Sequence, residues 1–415
     1  MTAPHHVIVG GSAAGVAAAL AMRRNGFEGR ITLVEAASEE PYERPPLSKS
    51  FTDLDAPRRI LPPSTYVEED IDLLLGMPVA ALDVDRKVVR LPDGEGLGAD
   101  AVLVATGVNA RRLGVPGEYL EHVLVLRGLA DARALAARLD VGGPWVIVGG
   151  GFIGLEAAAV ARGRGIDVTV VEAMPVPLAG VLGPALAAHV QRMHEREGVR
   201  ILGGRTVTEF VGEREVEKVV LDDGSVLDAA TVLVGCGVEP NDELARDAGV
   251  YCNGGIVADR HGRTSVPWIW AAGDVATFVS PFTGRRQRIE HWDVANRLGT
   301  VTGANMVGVP AANTDAPYFW SDQYGHRLQM YGRHQPGDQF VVRPGVTTAQ
   351  FVAFWVRDGR VTAAAAIDSP KELRATKPLI EGRVPVMASD LIDPAVSLRA
   401  LGRVASSTKP DRDGA

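Results

Sequence analysis

At 415 residues the chain is longer than one ordinary hydrophobic core accommodates, so two or three domains are expected. Hydrophobic residues at 46% and charged residues at 23% give the balance of a soluble globular protein, and a net charge of −8 argues against a general nucleic-acid binder. No apolar run reaches the roughly 18 residues of a membrane-spanning helix, and the first strand begins near residue 5 with no basic-then-apolar leader, so a cytoplasmic protein is expected.

Val7-Ile8-Val9 is a short β-branched run. It leads directly into Gly10-Gly11-Ser12-Ala13-Ala14-Gly15, then an Ala-rich stretch over 16–24 that stops at Asn25-Gly26, then a second apolar run ending at Glu35. Strand, glycine turn, helix and strand in this order suit a dinucleotide. The glycines admit a pyrophosphate close to the backbone, and the helix N-terminus offers it N–H groups and partial positive charge. Glu35, twenty residues past Gly15, stands where a carboxylate takes ribose hydroxyls. Ser12 replaces the middle glycine of G-x-G-x-x-G and is small enough to allow the approach. A hydrolase reading of Ser12 fails, because Ala14 stands where the nucleophile elbow needs its second glycine.

The next stretch, 40–49, reads EPYERPPLSK. Pro45-Pro46 cannot extend a central strand and predicts a rigid, extended entry, with Ser48 placed to cap a short helix. Arg44 and Lys49 are a candidate cation pair facing a bound cofactor, a solvated basic loop being the plain alternative. Arg58-Arg59 and Leu61-Pro62-Pro63 read as connecting surface. Over 79–104 short strands follow: Val88-Val89-Arg90-Leu91 meets the turn Pro92-Asp93-Gly94, and 100–107 is a buried strand ending in Thr106-Gly107. A ligand lies at the carboxyl end of such a strand.

The opening is repeated from Trp145. Val146-Ile147-Val148 enters Gly149-Gly150-Gly151-Phe152-Ile153-Gly154, a full G-x-G-x-x-G, followed by a helix over 155–164 and a strand over 167–171 closed by Glu172. The two loops start 139 residues apart, and the strand pattern recurs too, with Val219-Val220-Leu221, the turn Asp222-Asp223-Gly224 and a strand over 231–235. Glu172 accepts from a ribose 2′-hydroxyl and repels a 2′-phosphate, and Ala173-Met174-Pro175 offers no Arg to hold one, so NADH is favoured over NADPH.

Cys236 and Cys252 have no C-x-x-C spacing; they read as two reduced thiols, with no redox dithiol and no metal site. Residues 267–274, PWIWAAGD, form another buried strand ending at Gly273-Asp274, where the Asp would accept from sugar-like hydroxyls. The first nucleotide domain is then split, resuming after the second. From Tyr318 the composition changes to a dense aromatic group, Tyr318-Phe319-Trp320 with Tyr324, for which packing is the plain reading. Strands over 327–331, 350–356 and 361–367 follow, the last two joined by Asp358-Gly359. Ser369-Pro370-Lys371-Glu372 reads as a capping box opening a helix that ends before Gly382.

The order of these motifs resembles the FAD-dependent pyridine nucleotide reductase superfamily. Within it, residues 41–49, 149–156, Glu290-His291-Trp292 and 319–323 resemble the oxygenase-coupled ferredoxin reductases, the group of the putidaredoxin, rhodocoxin and biphenyl dioxygenase reductases. The disulfide reductases of the superfamily carry a dithiol shortly after the first nucleotide unit; this chain has Tyr42 to Lys49 there and no Cys. The fold implied is α/β, with two Rossmann-like dinucleotide-binding domains, the first split, plus a C-terminal α+β domain. The expected boundaries are 5–110 and 238–316 for FAD, 111–237 for NADH, 317–405 for the last domain, and a disordered tail over 406–415.

By this resemblance FAD is held by Gly10, Ser12, Ala14, Gly15, Glu35, Arg44, Lys49, Thr106, Gly107, Arg127, Gly273, Asp274, Glu290 and Trp292. NADH is held by Gly149, Gly151, Ile153, Gly154 and Glu172, with Phe152 and Glu156 beside the nicotinamide. Lys49 paired with Glu156 would serve the reduced flavin, and Trp320 would stand by the flavin edge from which single electrons leave. The implied partner is a [2Fe-2S] ferredoxin feeding a haem or Rieske oxygenase. It would dock on a local basic patch, either Arg285, Arg286 and Arg288 or Lys371, Arg374 and Lys377. No nucleic acid or membrane partner is implied, and the oligomeric state, monomer or weak dimer, stays open. The same scaffold also serves NADH oxidases, rubredoxin reductases and a flavoprotein like apoptosis-inducing factor, so these stay open.

Overall fold

A computed structural model describes residues 3–51, 54–345, 347 and 350–406. The chain forms two compact units: Met1–Arg44, Asp55–Asn109 and Val238–Thr314 make the first, and Pro45–Leu54, Ala110–Gly237 and Asp315–Ala415 the second.

The first unit is built on a five-stranded parallel sheet. Its order is Ile269–Ala271, Ala101–Val104, His5–Val9, Arg30–Val34 and Ile71–Leu74. The central strands are near-continuous apolar runs because both faces are covered. Ile8, Ile31, Leu33 and Leu103 point into one core with the helix Ala13–Arg24, while Val7, Val9, Val34 and Val102 point into another with Leu82 and Val89. Ile269–Ala271 joins this sheet beside Ala101–Val104, so the fold is split in sequence as predicted. The helix Trp292–Met306, which the sequence pattern did not reveal, lies against Ala13–Arg24 with backbones nearly touching. A Cβ on Gly299 would overlap the Ala14 carbonyl oxygen, and one on Gly303 that of Ala18.

The second unit repeats the plan. Its parallel sheet runs Arg200–Gly203, Val168–Glu172, Trp145–Val148, Thr231–Val234 and Val123–Val125. The antiparallel strands Val207–Val211, Lys218–Leu221 and Val226–Asp228 share a core with one face of it. The repeat extends to single bonds. Gly10 N donates to Val34 O and Gly149 N to Val171 O, both at 2.8 Å, and each loop glycine is crowded by a carbonyl from the strand end on its other side, Ala105 or Gly235.

The C-terminal part of this unit is a five-stranded antiparallel sheet in the order Tyr318–Gln323, His326–Gly332, Arg360–Ile367, Phe351–Arg357 and Gln339–Pro344. Two of these strands, Tyr318–Gln323 and Gln339–Pro344, were not read from the sequence. Phe354 and Trp355 face Ala364 and Ala363 across the strands, large against small, and the helix Pro370–Glu381 buries Leu373, Leu379 and Ile380.

Four local expectations change. Residues Pro45–Ser48 form a 3-10 turn rather than an extended entry, since the proline φ suits that turn as well, and Lys49 N closes it onto Pro46 O at 3.1 Å. Ser48 caps no helix; its hydroxyl is spent on Glu156. The helix Pro370–Glu381 forms and ends at Gly382, but the Ser369 side chain makes no capping bond. The helix Leu398–Ser406 takes Ser406 out of the expected tail, and 407–415 lie outside the described residues. Among the described residues no helix is long and apolar enough to cross a membrane.

Candidate functional sites in the two units

In the first unit, the predicted residues collect where parallel strands end. Gly10 to Gly15 join His5–Val9 to its helix, Glu35 follows Arg30–Val34, Thr106-Gly107 follows Ala101–Val104, and Gly273-Asp274 follows Ile269–Ala271. Gly10 has φ +110, and a Cβ on Gly15 would overlap Gly10 O, so the loop tolerates no side chain at either position. Gly273, φ +80, brings its backbone against Ala14. The N-cap Ser12 makes no side-chain bond to its own helix, leaving that end uncapped by protein side chains. The Glu35 carboxylate accepts from Gly11 N at 2.6 Å and from Ala37 N at 3.0 Å. A cleft beside it is lined by Gly11, Ser12, Glu35, Pro41, Tyr42 and Arg44, with the Arg44 guanidinium 5.7 Å from the Tyr42 ring. Thr106 exchanges bonds with Asn241, 2.7 Å and 3.0 Å, fixing that strand end. Glu290 is half-exposed and already paired with Arg288 at 2.8 Å, and Trp292 opens its helix partly buried against the core.

In the second unit, Gly149, Gly151, Ile153 and Gly154 form the equivalent loop. A Cβ on Gly149 would overlap Gly235 O and one on Gly154 would overlap Gly149 O, and again no side chain caps the helix Phe152–Gly163. Glu172 reproduces Glu35: it accepts from Gly150 N at 2.6 Å and from Met174 N at 2.7 Å. Arg127 lies at the turn into the helix Leu129–Val141, its N–H and that of Gly128 bound by Asp131.

Lys49, Glu156, Phe152 and Trp320, from three distant parts of the sequence, do come together in this unit. Glu156 is 3% exposed; it accepts from Lys49, from Ser48 and from Ser321 at 2.6 Å. The Lys49 ammonium sits 5.8 Å from the Trp320 ring, and Phe152 packs on Phe319 with centroids 4.8 Å apart. A charge this deeply buried needs such partners to be tolerated. Sequence reasoning missed Ser48, Phe319 and Ser321. Their signal lay in the period of two: Phe319, Ser321 and Gln323 alternate along one buried face of a strand, and two of the three are polar.

The basic patches are partly spoken for. Arg286 reaches Ala258 O and Thr277 O, Arg288 pairs with Glu290, and Lys377 lies 3.5 Å from Glu381 and 3.9 Å from Asp315. Lys371 and Arg374 stand exposed on the helix Pro370–Glu381.

Two glycine-loop folds in one chain, each with its own pinned carboxylate, make the scaffold of a flavin- and pyridine-nucleotide-dependent oxidoreductase. The chain belongs to the pyridine nucleotide-disulphide oxidoreductase family, whose profile matches residues 4–299, followed by a reductase C-terminal domain over 318–402. It is 35% identical over 403 residues to the benzene 1,2-dioxygenase system ferredoxin–NAD(+) reductase subunit of Pseudomonas putida, covering 97% of this chain and 98% of that one. It is 37% identical over 397 residues to the biphenyl dioxygenase system ferredoxin–NAD(+) reductase component of Paraburkholderia xenovorans strain LB400, covering 95% and 97%. Among solved structures, the covalent putidaredoxin reductase–putidaredoxin complex matches with a TM-score of 0.92 and 34% identity, over 98% of this chain and 100% of that one. Despite the family's name, Cys236 and Cys252 are not joined in a disulfide.

Proposed function

We propose that the chain is an FAD-dependent NADH:ferredoxin oxidoreductase, passing electrons one at a time to a [2Fe-2S] ferredoxin that serves an oxygenase. The observation that carries this reading is likeness over nearly the whole length, C-terminal domain included, to reductases named for ferredoxin and NAD(+). Bound FAD supplies the chemistry, taking two electrons from NADH as hydride and giving them up singly. The residues fit such groups. Backbone oxygens exclude a side chain at Gly10, Gly15, Gly149 and Gly154, and both helix ends are uncapped, which leaves N–H donors for two pyrophosphates.

In this reading Gly10, Ser12, Ala14 and Gly15 hold the FAD pyrophosphate and Glu35 its ribose, while Gly149, Gly151, Ile153, Gly154 and Glu172 do the same for NADH. Both carboxylates keep unused lone pairs beyond the two N–H bonds each accepts, so a ribose hydroxyl can still donate to them. Arg44, Thr106, Gly107, Arg127, Gly273, Asp274, Glu290 and Trp292 complete the flavin's surroundings. Lys49 brings a positive charge held in place by Glu156, where Coulomb attraction in a dry site is strong. Phe152, on the first turn of its helix, flanks the nicotinamide, and Trp320 stands beside the exit for electrons.

The test is direct. Under anaerobic conditions NADH should bleach the yellow protein, and the reduced protein should then reduce at least one member of a panel of [2Fe-2S] ferredoxins faster than it consumes oxygen. A protein that turns over with oxygen and with no ferredoxin is an oxidase, and the proposal is wrong.

A further inference from the structure

Glu156 is the end of a longer line of buried polar groups. Ser321 donates to it at 2.6 Å, Gln323 Nε2 lies 2.9 Å from Ser321 Oγ, Gln323 Oε1 lies 2.7 Å from His194 Nε2, and the Tyr324 hydroxyl lies 3.0 Å from His194 Nδ1. Ser321, Gln323 and His194 are at most 4% exposed. The line ties three elements of the second unit together: the helices Phe152–Gly163 and Ala179–Arg196 and the strand Tyr318–Gln323.

The chemistry of each member gives the line one direction. A carboxylate only accepts, so the Ser321 proton points at Glu156 and its lone pairs face Gln323. Gln323 must therefore present its amide NH2 to Ser321 and its carbonyl to His194. The ring then donates from Nε2 and is left to accept at Nδ1, and Tyr324 donates. Burial keeps this pattern available. It pushes His194 down to about 4, so the ring is neutral with a single N–H, and pushes the Tyr324 phenol well up, so it keeps its proton.

Tyr324 is placed at some cost. With Gly325 it forms the two-residue turn between Tyr318–Gln323 and His326–Gly332, at φ +52, a backbone conformation that bulky residues avoid and that Asn or Gly usually fills. Its ring meets His194 edge-on, with centroids 5.0 Å apart.

We propose that Tyr324, His194, Gln323 and Ser321 are positioning residues, a one-way chain of hydrogen-bond donors that fixes the Glu156 carboxylate and, through it, the Lys49 ammonium. The proposal rests on the reading that Lys49 serves the bound flavin.

Two measurements test it. In the holoprotein with 15N-labelled histidine, His194 should show a neutral ring protonated on Nε2 at pH 7, with Nδ1 hydrogen-bonded and its resonance displaced in Tyr324→Phe. A ring protonated on Nδ1 overturns the chain. The second measurement is Gln323→Glu. When protonated, the new carboxyl has the same donor and acceptor as the amide; when ionised, it cannot donate to Ser321. NADH should therefore reduce the flavin of this variant at least fivefold more slowly than wild type at pH 8 and within twofold of wild type near pH 5.5. The groups facing the site, Glu156, Lys49, His194 and Tyr324, with Glu197 and Arg162 beyond Tyr324, are common to both proteins. Parallel pH profiles overturn the positioning role. Lys49→Met, measured alongside, separates the two readings: a reduction rate within twofold of wild type overturns the role of Lys49, whatever the His194 ring reports.

Discussion

Glu35 and Glu172 hold the same place in successive folds: each ends a strand and clamps the N–H of the second glycine of its loop at 2.6 Å. The hydrogen bonds tie the loop to the carboxylate in each fold, so under the proposed function neither carboxylate would have to be ordered when a ribose arrives.

This gives the first prediction. Glu172→Ser removes the clamp on Gly150 and, in the proposed reading, the charge that would repel a 2′-phosphate. The KM for NADH should rise about tenfold, worth roughly 1.4 kcal/mol, and the preference for NADH over NADPH should shrink. Steady-state kinetics with both nucleotides check it; an unchanged preference would remove Glu172 from nucleotide choice.

A second concerns Lys49. Lys49→Met keeps much of the stem that packs near Trp320 and leaves Glu156 a buried carboxylate without its cation. Flavin reduction by NADH, followed in a stopped-flow instrument, should slow by tenfold or more.

The helix contact at Gly299 yields a third. Gly299→Ala gains about 1 kcal/mol of helix propensity but forces the Trp292–Met306 backbone off Ala14, at a cost of about 1–3 kcal/mol or more. The clash should win. The temperature at which flavin is released should fall, and a temperature that stays level would show that the two helices can part cheaply.

The fourth follows from burial of His194. The unfolded chain takes up a proton there near pH 6.5, whereas the folded protein resists until about 4. Stability from this group is complete above pH 6.5 and is lost as pH falls toward 4, by an amount on the order of 3 kcal/mol. His6, pushed down to about 4 in the first unit, acts in the same sense. Thermal unfolding between pH 7 and 4.5 should show the decline, with a shallower slope in a His194→Gln variant.

The fifth concerns docking. Lys371 and Arg374 are the exposed cations of their helix, so Lys371→Glu with Arg374→Glu should raise the apparent KM for an acidic ferredoxin and reduce its rise with salt. An unaltered salt response would place docking elsewhere.

Much of this was legible from the chain itself. The glycine loops, their flanking strands and the terminal glutamates follow a period and spacing that the sheet must honour, and both copies appear where they were read. Helices such as Ala179–Arg196 escaped because Gly183-Pro184 interrupts the pattern: Gly183 has a positive φ and the helix kinks there. The strand Gln339–Pro344 escaped because it lies at a sheet edge and alternates weakly. The Glu156 cluster was half legible. Lys49 and Glu156 came from family resemblance, but the serines, Gln323 and His194 are brought together by tertiary packing over more than a hundred residues, which no local window contains.

The late arrival of Ile269–Ala271 and Trp292–Met306 bears on how the protein is made. On the ribosome, the amino-terminal sheet must wait with an open edge, and the helix Ala13–Arg24 with a bare face, until the chain has been synthesised past Met306. The parallel sheet of the intervening nucleotide fold takes all five strands from between Val123 and Val234, so it waits for no later strand and can form while its neighbour is still being translated. Chaperone dependence and aggregation during expression should thus originate in the amino-terminal half.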